Sequence, residues 1–252
     1  MNHSEELIRT EKLVRNYTTE NRTIEVLKGV DLVINEGEMV AIMGKSGSGK
    51  TTLLKQFAMI DVPSEGNVFF KGKNTRKIRG EQLARIRRRE IGYVYQDYYL
   101  MDSLSVLENI MLPKILDHRK YEECIEAAKQ LADIMDVGDL LDKRTFELSG
   151  GEKQRVAICR AMINEPELIL ADEPTGNLDT GISEDVMHYL RVINKDLNKT
   201  IVLVTHDAYV ASAGSRVVFL KDGLVDSEVY SNGDRDEFFE DIVTQQKHII
   251  KR

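Results

Sequence analysis

The apolar positions of this 252-residue chain fall into short unbroken runs set between longer amphipathic stretches. Four of these runs, Met39 to Met43, Leu168 to Ala171, Thr200 to Val204 and Val217 to Leu220, are apolar at almost every position. Runs this short, bounded by polar or glycine positions, predict buried strands. Looser alternation over Leu7–Tyr17, Val26–Ile34, Asn67–Gly72 and Ile91–Tyr95 predicts further strands. Turns are expected at Thr18–Thr23, Asn35-Glu36-Gly37 and Asp61–Gly66. Leu224–Val229 returns from the last run across Lys221-Asp222-Gly223, a hairpin signal. Apolar residues at helical spacing predict helices over Thr52–Phe57, Gly80–Glu90, Val106–Ile115, Tyr121–Met135 and Lys153–Ile163. The tail from Asp234 is expected to be helical, with Phe238, Phe239, Ile242 and Val243 on one face. This order implies one α/β unit over 1–252 built on a mixed sheet. It has an antiparallel β subdomain near its start, an inserted α-helical subdomain at 97–148 and a helical tail at 234–252.

Composition changes this picture little. Apolar content is 42% and the charged share 31%, an ordinary globular balance. The net charge of −7 argues against nucleic acid as the main partner. No apolar run approaches the length that spans a bilayer. The start, Met1 to Glu6, is polar and unlike a signal peptide. Cys124 and Cys159 lie far apart in helical patterns, fit no metal spacing and read as packing residues of a reduced cytosolic protein. Arg85, Arg87, Arg88 and Arg89 make the helix at Gly80–Glu90 strongly basic, and such a run reads as a solvated face.

The chemistry is concentrated in Gly44-Lys45-Ser46-Gly47-Ser48-Gly49-Lys50-Thr51. It fits G-x-x-x-x-G-K-[ST] and sits between a buried strand and a helix, as a phosphate-cradling loop requires. Its glycines let backbone N–H groups turn inward onto a phosphate, and the helix N-terminus adds partial positive charge. Lys50 is placed to reach terminal phosphates, and Thr51, followed by Thr52, to offer a hydroxyl to Mg2+. The fold class is therefore an α/β P-loop NTPase core. Asp172 ends a buried strand, where a carboxylate can hold the Mg2+ shell opposite Thr51. Glu173 follows and can accept a proton from attacking water. Ser149, Gly150 and Gly151 form a second glycine turn entering a helix. Ser149 and Glu152 also fit a capping box, and a capped helix N-terminus presents N–H groups to an anion.

Taken together, Gly44–Thr51, Gln96, Leu148–Glu152, Ile169–Glu173, Asn177-Leu178-Asp179 and His206 resemble, in order and type, the motifs of an ABC-type ATPase. The resemblance covers nearly the whole chain, and Leu-Ser-Gly-Gly makes it specific. It implies ATP and Mg2+ as cofactors, and two copies packed head to tail around two ATP molecules. Ser149 and Gly151 of one copy would touch the γ-phosphate held by Gly44–Thr51 of the other, with Asp179 at their boundary. His206 would contact that phosphate and orient Glu173, Gln96 would contact Mg2+ and the water, and Tyr17 would stack on adenine. Arg88–Asp97, Ser105–Pro113 and Ala171–Asp179 further resemble the lipoprotein-release and macrolide-export branch. Gln96-Asp97-Tyr98 and Gly233–Ile242 are most similar to its bacitracin and antimicrobial-peptide resistance members. Departures are Glu152 where Gln is frequent, Tyr95 where Phe is usual, and no glycine in the turn after Tyr17.

The resemblance implies an ATP-hydrolysing subunit at the cytoplasmic face of the membrane. It would drive export, release or removal of a peptide, antibiotic or lipid-linked substrate through a separate transmembrane permease, which Asp97–Leu104 would contact. The alternative is a mechanical or signalling ATPase acting on a membrane partner in peptide sensing or cell-envelope control.

Overall fold

The computed structural model describes residues 5–19 and 22–251. Met1–Ser4 of the polar start, Glu20 and Asn21 of the expected turn, and Arg252 lie outside the described residues. Strands β1 (Glu6–Thr19) and β2 (Arg22–Asn35) lead into β3 (Met39–Met43) and helix α1 (Lys50–Phe57). β4 (Glu65–Phe70), β5 (Lys73–Asn74), α2 (Gly80–Arg89) and β6 (Ile91–Val94) follow. Next come α3 (Val106–Ile115), α4 (Tyr121–Ile134) and α5 (Gly150–Met162). The remainder is β7 (Leu168–Asp172), α6 (Thr180–Lys195), β8 (Thr200–Val204), α7 (Ala208–Ala211), β9 (Arg216–Lys221), β10 (Leu224–Tyr230) and α8 (Arg235–Lys251).

The strands form two sheets. One is antiparallel, ordered β2-β1-β4-β5; the other is ordered β10-β9-β3-β8-β7-β6. In the second, β9, β3, β8, β7 and β6 run parallel and β10 closes the edge antiparallel. The unbroken apolar runs are explained by this arrangement, because alternate residues face two different cores. Val40, Ile42, Leu168, Leu170, Val202, Val204, Val218 and Leu220 pack with Leu53, Leu54 and Phe57 of α1 and with the antiparallel sheet. Ala41, Met43, Ile169, Ala171, Ile201, Leu203, Val217 and Phe219 pack with the helices from α3 to α8.

Three departures from the sequence reading stand out. Thr18 and Thr19 are not a turn; they pair with Thr23 and Arg22 as the end of a long hairpin. Helix α6 was not expected. Asp179 caps it by accepting from the Ile182 N–H, and Val186, Met187, Leu190 and Ile193 bury its inner face. Finally, the basic helix α2 is more than a solvated face. Arg88 and Arg89 donate to Asp117, just past α3, at 2.9 and 2.8 Å, and Arg119 joins them at 3.4 Å. The Asp117 side chain is only 2% exposed. Burial alone would raise its carboxyl pKa, but the hydrogen bonds from Arg89 and Arg88 outweigh burial and hold it below the usual range.

Candidate nucleotide site

The site is assembled at the C-terminal ends of the parallel strands, where open α/β sheets bind ligands. β3 is buried along its length and runs straight into the glycine loop. Gly47 and Gly49 take φ of 79° and 103°, backbone that L side chains rarely adopt, and Gly49 caps α1. A Cβ on Gly44 would stand 2.2 Å from the Leu220 carbonyl oxygen, so the loop lies tight against β9. The Ser48 hydroxyl inside this cradle is buried and has no protein partner. A glycine cradle with a spare buried hydroxyl fits a phosphate chain.

Lys50 donates from Nζ to the carbonyls of Gly44 and Lys45 at 2.9 and 3.1 Å. Burial lowers its pKa, while Glu173 and Asp172 pull the other way. Thr51 Oγ1 donates to Asp172 Oδ1 at 3.0 Å, and Tyr93 donates to the other carboxylate oxygen at 3.4 Å. Burial raises the Asp172 pKa, partly offset by those two hydrogen bonds and by Lys55 and Lys50. A hydroxyl and a carboxylate side by side are the hard oxygen donors that suit Mg2+.

Glu173 takes φ 47°, unusual for a residue with a side chain, and its N–H donates to the Val204 carbonyl at 3.0 Å. His206, just past β8, places Nδ1 3.0 and 3.2 Å from the two Glu173 carboxylate oxygens. A cavity of about 810 Å3 is lined by the glycine loop through Thr52, by Gln96, Glu173 and His206, and by Gln246, Ile249 and Ile250 of α8. Gln96 is held by Asn177, whose Nδ2 donates to its carbonyl at 3.1 Å.

Three predicted elements lie apart from this cavity. Ser149 accepts from the Glu152 N–H at 3.3 Å, and Glu152 accepts from the Ser149 N–H at 2.7 Å, so the capping box is formed. Gly150 and Gly151 face other parts of the same chain. A Cβ on Gly151 would meet Ile182 Cγ2 at 2.3 Å, and one on Gly150 would meet Leu178 Cδ2 at 3.1 Å. Asp179 caps α6, as above. Tyr17 lies at the far end of β1, where its hydroxyl donates to Asp61 at 2.7 Å and the Arg15 guanidinium covers its ring at 4.5 Å. The sequence reading missed Tyr93 and the α8 residues as parts of the site, and named Asn177 only within a motif. The stripe of Phe238 and Ile242 extends seven residues on to Ile249, so the signal for α8 was present.

Beside Gln96 the chain turns sharply, with Tyr98 and Tyr99 at φ 61° and 46°. Arg160 of α5 holds the Tyr98 and Tyr99 carbonyls, while Tyr99 and Met101 are 63% and 47% exposed.

A parallel sheet with a phosphate loop, a strand-end Asp-Glu pair and a histidine on that pair defines a P-loop ATPase cassette. The chain belongs to the ABC transporter family, whose model matches residues 27–176. It is 44% identical over 239 residues to the ABC transporter ATP-binding protein YvcR of Bacillus subtilis, covering 94% of this chain and 92% of YvcR. It is 41% identical over 233 residues to the bacitracin export ATP-binding protein BceA of Halalkalibacterium halodurans, covering 92% of each. The dimeric structure of the cassette MJ0796, from Methanocaldococcus jannaschii, superposes with a TM-score of 0.84 at 40% identity, over 90% of this chain and all of that one. A second dimeric structure of that protein, in a post-hydrolysis state with ADP and Pi, gives 0.83 at 39% identity.

Proposed function

We propose that this chain is the ATP-hydrolysing subunit of an exporter, working as a head-to-tail pair on a separate membrane permease. The observation that carries the reading is the Glu173–His206 contact at 3.0 Å on the wall of the cavity that the phosphate loop opens into. Gly44–Thr51 bind the phosphates of ATP. Mg2+, held by Thr51 and Asp172 with Gln96 beside them, would neutralise charge on the transferring phosphoryl group. Glu173 accepts the proton of the attacking water, and His206 orients Glu173 and the terminal phosphate. Ser149–Gly151 lie outside their own cavity, which supports their completing the site of a second copy, with Asp179 at the boundary. Tyr17 is the adenine platform in this reading, and Arg15 already covers one face of its ring.

The inserted helical subdomain at 97–148 passes the result on. Exposed Tyr99 and Met101 at its start suit a permease contact, since aromatics and Met favour interfaces. Among the described residues no helix is long and apolar enough to cross a membrane. We place the chain at the cytoplasmic face through its permease. Relatives that carry transport names favour export over a signalling role.

The test is Glu173→Gln. It is expected to bind Mg-ATP normally, to hydrolyse it roughly 10²- to 10⁴-fold more slowly, the range for loss of a general base, and to dimerise by light scattering. Turnover at the parent rate would refute the assignment.

A further inference from the structure

Phe238 and Ile242 bury the apolar stripe of α8, and that alone would hold a tail on the surface. Its polar and terminal residues make a second set of contacts, directed at the segment that follows β8. Arg235 donates to the Ser212 hydroxyl at 3.2 Å and the Tyr209 carbonyl at 3.4 Å, and its guanidinium lies 4.4 Å from the Tyr209 ring centroid. Phe239 meets the same ring edge-on at 6.3 Å. Arg235 also reaches Glu184 of α6, at 3.3 Å. About three turns along, Gln246 brings Nε2 to 3.5 Å from the His206 carbonyl. The last two turns are pinned in place. Gln245 donates to Ser227 of β10 at 2.8 Å, and Lys221 of β9 donates to the Ile249 carbonyl at 3.3 Å. The helix therefore follows residues 206–212 back from the end of α7 to the histidine, then ends at the cavity wall.

This placement matters because His206 is mostly open to solvent, with its side chain 72% exposed. Its ring reaches Glu173, but so exposed a ring has room to sample other directions. A donor on the His206 carbonyl, beside the Asp207 N–H that donates to Thr205 Oγ1 at 3.0 Å, holds the peptide unit after His206 and limits how the backbone can carry the ring. The 3.5 Å separation is at the long limit for a hydrogen bond. We infer that α8 is a working part of the ATPase site and that Gln246 is a positioning residue for His206. The inference rests on the reading of His206 proposed above. Gln246 acts on the reaction through that histidine.

The test is steady-state ATP hydrolysis by two variants. Gln246→Met fills similar volume but cannot donate, and Gln246→Lys keeps a donor on a side chain of similar reach. Gln246→Met is expected to lower kcat about three- to ten-fold, what one neutral hydrogen bond commonly contributes. KM for ATP and the thermal midpoint should stay at the parent values, and Gln246→Lys should restore most of kcat. In a His206→Ala background Gln246→Met should add nothing, because residues acting as a unit are not additive. Parent kcat in Gln246→Met, beside an impaired His206→Ala, would overturn this inference alone. An unimpaired His206→Ala would overturn the reading of the site as well. An equal loss from Gln246→Met in both backgrounds would also overturn it, by showing that the helix acts independently of the histidine.

Discussion

Removing the Asp117 carboxylate is expected to loosen the joint between α2 and α3. Asp117→Ala leaves Arg88, Arg89 and Arg119 facing one another with no anion between them. Breaking a fully buried pair commonly costs about 3–5 kcal/mol, because the stranded charge stays buried. Here the carboxylate is 2% exposed, but the three arginines are 28, 42 and 51% exposed and can rehydrate. Exposed partners recover much of that cost, so about 2 kcal/mol is expected. For a chain of this size that lowers the thermal midpoint by roughly 4–8 °C. Urea unfolding followed by circular dichroism measures it, with Asp117→Asn as the isosteric control. The pH dependence follows from a carboxyl pKa held below its ordinary value. Its contribution is complete above the unfolded value of about 3.9 and is lost as pH falls through the lower folded value. The gap between parent and Asp117→Ala should therefore be constant from pH 5 to 7 and close only in stronger acid. Equal urea midpoints at pH 7, or a gap that closes between pH 5 and 7, would refute the reasoning.

Ser149→Ala removes the cap of α5. It should cost about 1 kcal/mol of stability and damage turnover, while nucleotide binding by the monomer stays near normal; a monomer binding defect would place the serine in its own chain's site. Gly151→Ala should impair hydrolysis because the added methyl overlaps Ile182. Trimming that neighbour with Ile182→Ala should recover part of the loss, and no recovery would mean the glycine is needed for another reason.

Much of the scaffold could be read from the chain. The four unbroken apolar runs are legible as strands because a sheet covered on both faces needs apolar residues at every position, and few other structures do. The phosphate loop is legible because its glycines meet a backbone need that other residues rarely satisfy. Helix α6 was legible in principle, since Asp179 gives a cap and Val186, Met187, Leu190 and Ile193 keep the helical period, but Gly181 in its first turn disguises its start. What could not be read is pairing across distance. Arg88 and Arg89 look like surface charge because their anion stands 29 and 28 residues away. The stripe on α8 announces a buried face and says nothing of what it is buried against. The placement of Gln246 and Ile250 beside the phosphate loop is a tertiary fact.

The position of β3 in its sheet also bears on how the protein is made. β3 delivers the chain to the phosphate loop, and both strands that flank it come from far downstream. Val40 pairs with Val202 on one side and Arg216 on the other. At typical ribosomal rates about 8–30 s separate the synthesis of Val40 from that of its first partner. Through that interval β3 has neither of its sheet neighbours to pair with. Ribosome-stalled chains ending before Thr200 should be cut by protease between Met39 and Phe57, and chains released from the ribosome should resist; early protection would show that the nascent chain finds a substitute partner.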